Sequence, residues 1–229
     1  MTTLVLLPGM DGTGDLFAPF VNAVHLRVQI IRYPTARPLD YVGLKALVRA
    51  ELPTNEPYVL LGESFSGPIA LSIASERPQQ LQGVVLCCSF AKNPRPGLGA
   101  LRGLVNLLPE RPPMKILETL LCGRFATPGT RAALSRAMCQ VSPAALRARL
   151  RAVISVDAVA ELRAIKVPLL YLRAAEDRVV PSAASRLVLA NAASASCVEL
   201  VAPHFLLQTV PEEAARVVEE FVDRVAHAL

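Results

Sequence analysis

The sequence predicts an α/β fold built on a mainly parallel sheet. Three observations carry that prediction: six short apolar runs, amphipathic segments that alternate with them, and no polar–apolar alternation inside the runs. A strand with one wet face alternates apolar and polar residues, whereas one covered by helices on both faces is apolar throughout.

The runs are Thr3–Leu7, Val28–Arg32, Tyr58–Leu61, Val84–Cys88, Leu169–Leu172 and Val198–Val201. Between them, residues 15–24, 40–52, 67–76, 182–191 and 210–228 carry apolar residues at helical spacing. Strand and helix in strict turn give a parallel sheet. Asp15 and Asp40 stand where helix N-caps belong, and Thr209-Val-Pro-Glu212 reads as a capping box with proline in the first helical turn. Residues 91–155 interrupt the alternation after the fourth strand with a Leu-, Arg- and Pro-rich helical stretch. They are expected to form a helical lid within a single domain spanning 1–229, without internal repeat or low-complexity linker.

The 229 residues suffice for one large domain, and 52% of them are apolar. Mean hydropathy is +0.40, yet Arg, Pro or Gly breaks every apolar stretch before the ~18 residues that a membrane span requires. The start, Met-Thr-Thr-Leu-Val-Leu-Leu, enters a strand at once with no basic leader, so a cytoplasmic location is expected. Five cysteines at 87, 88, 122, 139 and 197 are odd in number and lack C-x-x-C pairing. That pattern suits buried reduced thiols rather than disulfides or zinc, and no metal or cofactor is expected. Net charge is +5, but residues 91–155 hold nine Arg and two Lys against Glu110 and Glu118 alone. Such a stretch is either a solvated face or a surface for an acidic partner, such as an acyl carrier protein or anionic lipid. With no Trp and no recognition motif, nucleic-acid binding is not expected.

The chemistry centres on Gly62-Glu-Ser64-Phe-Ser66-Gly67. A strand that turns straight into a helix strains its pivot residue, so the positions around the pivot must be small. Gly62, Ser66 and Gly67 meet that demand, and Ser64 becomes an exposed nucleophile at a helix N-terminus. Ser66 is the weaker candidate, because Pro68 would then occupy a position that must be small. The competing reading makes Ser64 a mere cap.

A serine nucleophile needs a base, and the histidines are His25, His204 and His227. Only His204 lies in a loop after the last strand, at the sheet edge where α/β sites form. Asp177 follows the fifth strand and is the expected acid that fixes the imidazole. Glu176 competes with it one position away, while Asp157 precedes the strand and belongs to the wrong edge. The loop Pro8-Gly-Met10-Asp-Gly-Thr-Gly14 closes the first strand, so the Met10 and Phe65 backbone N–H groups are the expected oxyanion hole. Its spacing, G-x-x-G-x-G, fits neither a dinucleotide fingerprint nor a phosphate loop.

With these pieces in order, the chain resembles the α/β-hydrolase superfamily, in particular its small carboxylesterase-like members with a helical lid. The resemblance rests on Leu7-Pro-Gly-Met-Asp-Gly, Gly62-Glu-Ser-Phe-Ser-Gly, Ala175-Glu-Asp-Arg-Val-Val-Pro181 and Pro203-His-Phe-Leu-Leu-Gln-Thr. Three departures stand out: Pro8-Gly9 replaces a common His-Gly, Ser66 replaces a glycine, and the chain starts at the family's third strand. The last implies about six strands without the usual N-terminal hairpin, and a sheet edge that a partner subunit would cover.

The resemblance implies a serine carboxylesterase acting on a small-molecule ester through an acyl-enzyme on Ser64. Similarity to pimeloyl-carrier methyl-ester esterases extends the expectation to carrier-linked esters. An acyltransferase with the same triad and a non-catalytic binding module are the alternatives.

Overall fold

A computed structural model of the chain describes residues 2–97 and 113–227. Six parallel strands form one sheet: β1 (Thr3–Leu7), β2 (Val28–Ile30), β3 (Tyr58–Glu63), β4 (Leu81–Cys87), β5 (Leu169–Ala174) and β6 (Ala195–Leu200). Their order is β2-β1-β3-β4-β5-β6, with every neighbouring pair parallel. The fold is that of an α/β-hydrolase, and each expected strand is present with its ends moved by a few residues.

The helices are α1 (Ala18–Ala23), α2 (Tyr41–Glu51), α3 (Gly67–Ser75), α4 (Met114–Leu121), α5 (Pro128–Gln140), α6 (Pro143–Ser155), α7 (Val159–Ala164), α8 (Ser182–Asn191), α9 (Leu206–Thr209) and α10 (Pro211–Ala226). Alternate residues of one strand feed two cores. Val5 and Leu7 join Leu60, Val84 and Tyr171 beneath α2, α3, α7 and α8. Leu4 and Leu6 join Val59, Leu61 and Leu172 beneath α1, α9 and α10. This explains the unbroken apolar runs of the central strands β1, β3, β4 and β5, whose faces are almost wholly buried, while the edge strands β2 and β6 are partly exposed. Each fully buried Leu or Val contributes about 1.5–3 kcal/mol.

Helix α10 shows the local logic clearly. Pro211 opens it, Glu212 and Glu213 sit against the positive end of the helix dipole, and Arg224 sits in the last turn. Val217, Val218, Phe221, Val222 and Val225 share its buried face. A Cβ on Gly83 would stand 2.9 Å from Phe221 Cζ, so the glycine lets this helix reach the sheet.

Three local expectations are corrected. Asp15 is not an N-cap: Gly14, at φ 74°, precedes a 3-10 turn over Asp15–Phe17 that has no side-chain cap. Thr209 forms no capping box, because Val210 is the N-cap of α10 and the Thr209 hydroxyl donates to the Phe205 carbonyl at 2.7 Å. Of the five free thiols, Cys87, Cys88 and Cys122 are buried but Cys139 and Cys197 are exposed. Asp40 does cap α2, accepting from Gly43 N–H at 2.9 Å.

The topology places the site. The chain leaves β1 for β2 on one side, then crosses back to β3 on the other, so loops diverge at the C-terminal ends of β1 and β3. A crevice opens at such a reversal. Helices α4, α5 and α6, which lie between β4 and β5 in the chain, supply much of the wall of the cavity there. Part of the expected 91–155 segment, residues 98–112, lies outside the described residues.

Candidate active site

Ser64 directly follows β3 with φ 47°, a left-handed backbone that a non-glycine residue adopts only where its surroundings hold it. Close packing supplies the hold. A Cβ on Gly62 would lie 2.9 Å from the Ser66 carbonyl oxygen, and one on Gly67 would collide with the Ser89 side chain. The Ser89 hydroxyl donates to the Ser64 carbonyl at 2.5 Å, and Tyr171 in turn donates to the Ser89 carbonyl at 2.5 Å.

The side chains expected to work together converge. Ser64 Oγ lies 2.8 Å from His204 Nε2, and His204 Nδ1 lies 2.8 Å from Asp177 Oδ2. Asp177 Oδ1 accepts from the Val179 and Val180 backbone N–H groups at 2.8 and 2.9 Å, so both carboxylate oxygens are held. His204 is buried at 4% exposure, in a loop tied to the body where Glu176 N–H donates to the Ala202 carbonyl.

The competitors are elsewhere. Glu176 pairs with Arg124 at 2.6 Å on the surface, and Asp157 pairs with Lys92 at 2.8 Å. His25 is exposed beside Glu219, and His227 lies against the Asp223 carbonyl.

Met10 and Ser64 border the same cavity. Phe65 sits in the 3-10 turn Ser64–Ser66, whose leading N–H groups have no intrahelical partner. Tyr41 fixes Phe65 by stacking on its ring at 4.8 Å and by donating to its carbonyl at 2.9 Å. Ser66 does more than stay small. Its buried hydroxyl donates to the Pro8 carbonyl and lies 2.6 Å from the Tyr33 hydroxyl, tying the β3 turn to the β1 loop. A glycine there would leave both groups without that partner, a consequence invisible while Ser66 is read for size alone.

Glu63 precedes Ser64 and is 5% exposed. Burial pushes its carboxyl up to about 7, against the downward pull of its bond from Gln208. Gln208 Nε2 donates to Glu63 Oε1 at 2.9 Å. Sequence reading gave Glu63 no role, since its partners come from the β1 loop and α9.

A cavity of about 440 Å³ opens above Ser64 and His204. Leu117, Leu120 and Leu121 of α4, Leu134 and Met138 of α5, and Leu146 and Leu150 of α6 wall it, with Arg147 among them. The basic residues of this stretch are partly spent internally: Arg131 pairs with Glu118, and Arg149 is 1% exposed.

Among the described residues, one group of metal-capable side chains comes together, Cys88, Asp177 and His204, with donor atoms within 4.8 Å of one another. Asp177 and His204 already bind each other, and burial holds the Cys88 thiol well above its ordinary range and so protonated. These donors suit a hydrogen-bonded histidine better than a cation. No helix among the described residues is long and apolar enough to cross a membrane.

The chain matches the family described as serine aminopeptidase, S33, over residues 39–212. It is 33% identical over 120 residues to phytyl ester synthase 1, chloroplastic, of Arabidopsis thaliana, a stretch covering 47% of this chain and 16% of that one. The match thus spans under a fifth of that relative's length. Among solved structures, a lipase-esterase related protein from Clostridium acetobutylicum superposes with TM-score 0.82 at 15% identity, covering 96% of this chain and 94% of that one. A thermophilic esterase from Thermogutta terrifontis superposes with TM-score 0.81 at 17% identity, covering 98% and 90%. At such identities the likeness carries the fold.

Proposed function

The chain belongs to the serine aminopeptidase S33 family of α/β-hydrolases, and from that membership we propose that it is a serine carboxylesterase for esters with an apolar acyl chain. One observation carries the reading: the Ser64–His204–Asp177 series, linked at 2.8 and 2.8 Å, faces an apolar cavity of about 440 Å³.

In this mechanism His204 Nε2 takes the Ser64 proton as Oγ attacks the ester carbonyl, and Asp177 holds the Nδ1–H tautomer and stabilises the imidazolium. Met10 and Phe65 N–H groups bind the oxyanion, at the floor of a cavity whose mostly apolar walls strengthen each bond. The imidazolium protonates the leaving alcohol. Water, activated by the same histidine, then releases the acid. Residues 91–155 act as the lid of the single hydrolase domain, and their leucines receive the acyl chain. These residues hold only two carboxylates, Glu110 and Glu118, against nine Arg and two Lys, a balance that disfavours a substrate ammonium and argues against an aminopeptidase role.

Resemblance to the phytyl ester synthase favours one second reading, transfer of the acyl group to a long-chain alcohol instead of water. Both begin with the same acyl-enzyme. Release of p-nitrophenol from acyl esters of increasing length, with Ser64→Ala as control, tests the common step. Activity retained by the variant contradicts both readings, and product analysis with added phytol separates them.

A further inference from the structure

The loop Pro8–Gly14 has to present a backbone N–H to the cavity, and a peptide group that flips would present a carbonyl instead. Five consecutive carbonyls of this loop are each anchored. Pro8 accepts from Ser66 Oγ, Gly9 from Gly12 N–H at 3.1 Å, and Gly12 from Tyr33 N–H at 2.8 Å. The two between them, Met10 and Asp11, both accept from Arg149 Nη1 at 2.8 Å. Arg149 Nη2 donates to the Pro34 carbonyl at 2.9 Å, joining the β1 loop to the segment after β2. A trans peptide points its N–H opposite its carbonyl. With the Gly9 carbonyl turned into the Gly12 contact, Met10 N–H is turned away from that contact.

Arg149 reaches this loop from α6, about 140 residues away in sequence. Its side chain is among the largest fully buried ones, and its guanidinium stands 5.8 Å from the Tyr33 ring centroid. The loop is shaped around it. A Cβ on Gly12, at φ 72°, would lie 2.7 Å from Nη1 and 2.9 Å from Nη2. A lysine head is a compact point charge and cannot reproduce a planar fork that bonds three carbonyls at once.

We propose that Arg149 is the positioning residue of the oxyanion loop: it holds the Met10 and Asp11 carbonyls toward the interior, and because the Asp11 carbonyl shares its peptide with Gly12 N–H, the donor to the Gly9 carbonyl, it fixes through that bond the Gly9–Met10 peptide whose N–H meets the developing oxyanion. This rests on the ester-hydrolase reading, and its test separates the two. Dodecyl boronic acid forms a tetrahedral adduct in which Ser64 Oγ bonds to boron, His204 takes the proton, and the four-coordinate boronate carries the negative charge with one of its oxygens in the oxyanion position. Dodecanol fills the apolar cavity with no such charge. In Arg149→Met, kcat is expected to fall about 10²-fold with KM within about threefold, as for loss of oxyanion donors. Affinity for the boronic acid should fall in step, while that for dodecanol holds. A boronic-acid-to-dodecanol affinity ratio within about threefold of the unsubstituted protein overturns the proposal, because a merely structural brace shifts both ligands together. If Arg149→Met does not fold, Arg149→Lys decides by the same ratio. Absence of Ser64-dependent hydrolysis in the unsubstituted protein overturns the esterase reading itself, and Arg149's role with it.

Discussion

The strand ends and the helices above them solve different problems. At the edge, the reacting groups are fixed by directional bonds, some from partners distant in sequence, Ser89 on Ser64 and Ser66 on Pro8, and some local, the Val179 and Val180 amides on Asp177. The cavity walls of α4–α6 offer mostly Leu, Met and Pro, and α4 leaves Met114, Ile116 and Leu120 exposed. Directional bonds fix atoms to a few tenths of an ångström, whereas apolar contact is nearly indifferent to direction. Under the proposed function, the difference assigns reaction chemistry to the edge and substrate choice to the helices. Arg149 breaks the division, since a helix of the upper region holds a loop of the lower one.

Substitutions at the edge should therefore act on kcat, and those in the walls on chain-length preference. The largest effect is expected for Ser64→Ala or His204→Ala, a loss of kcat of roughly 10⁶-fold with little change in KM. Steady-state kinetics check it, and a loss confined to KM would erase the distinction. Asp177→Asn preserves shape but favours the wrong imidazole tautomer, so a fall of about 10⁴-fold is expected.

Glu63 sharpens the comparison through stability. Its folded-state carboxyl is raised from 4.5 to about 7, so between those values the unfolded chain has lost a proton that the native one keeps. Stability from this group is then complete below about pH 4.5 and declines as pH rises toward about 7, by roughly 3 kcal/mol in all. Glu63→Gln should flatten the Tm-against-pH curve in that window; an unchanged slope contradicts the assignment. The smallest effect belongs to the walls. Leu150→Phe should shorten the preferred acyl chain, lowering kcat/KM for the longest esters about tenfold while short esters stay within about twofold. An equal loss for all lengths would place Leu150 with the edge residues.

Much of this was legible in the sequence. The central strands were visible because both their faces are buried, whereas the edge strands β2 and β6 are partly exposed, and the small residues around Ser64 reflect steric demands that act over three or four positions. Sequence favours Asp177 without excluding Glu176, because the distinction depends on which one the loop turns inward and which meets Arg124. Asp15 misled because the left-handed Gly14 opens the helix through a 3-10 turn. Thr209 misled because the chain spends it inside the single turn α9. Arg149, Glu63 and Ser89 stayed hidden for a common reason. Their partners lie far along the chain, and one arginine in a basic helix looks like its neighbours until the fold buries it.

The most direct test of a Ser64 nucleophile activated by His204 is covalent labelling with an alkyl fluorophosphonate, followed by peptide mapping. The account predicts one adduct, on Ser64, absent in Ser64→Ala and slowed by orders of magnitude in His204→Ala. An adduct on another residue, or equal labelling of Ser64 without His204, would contradict it.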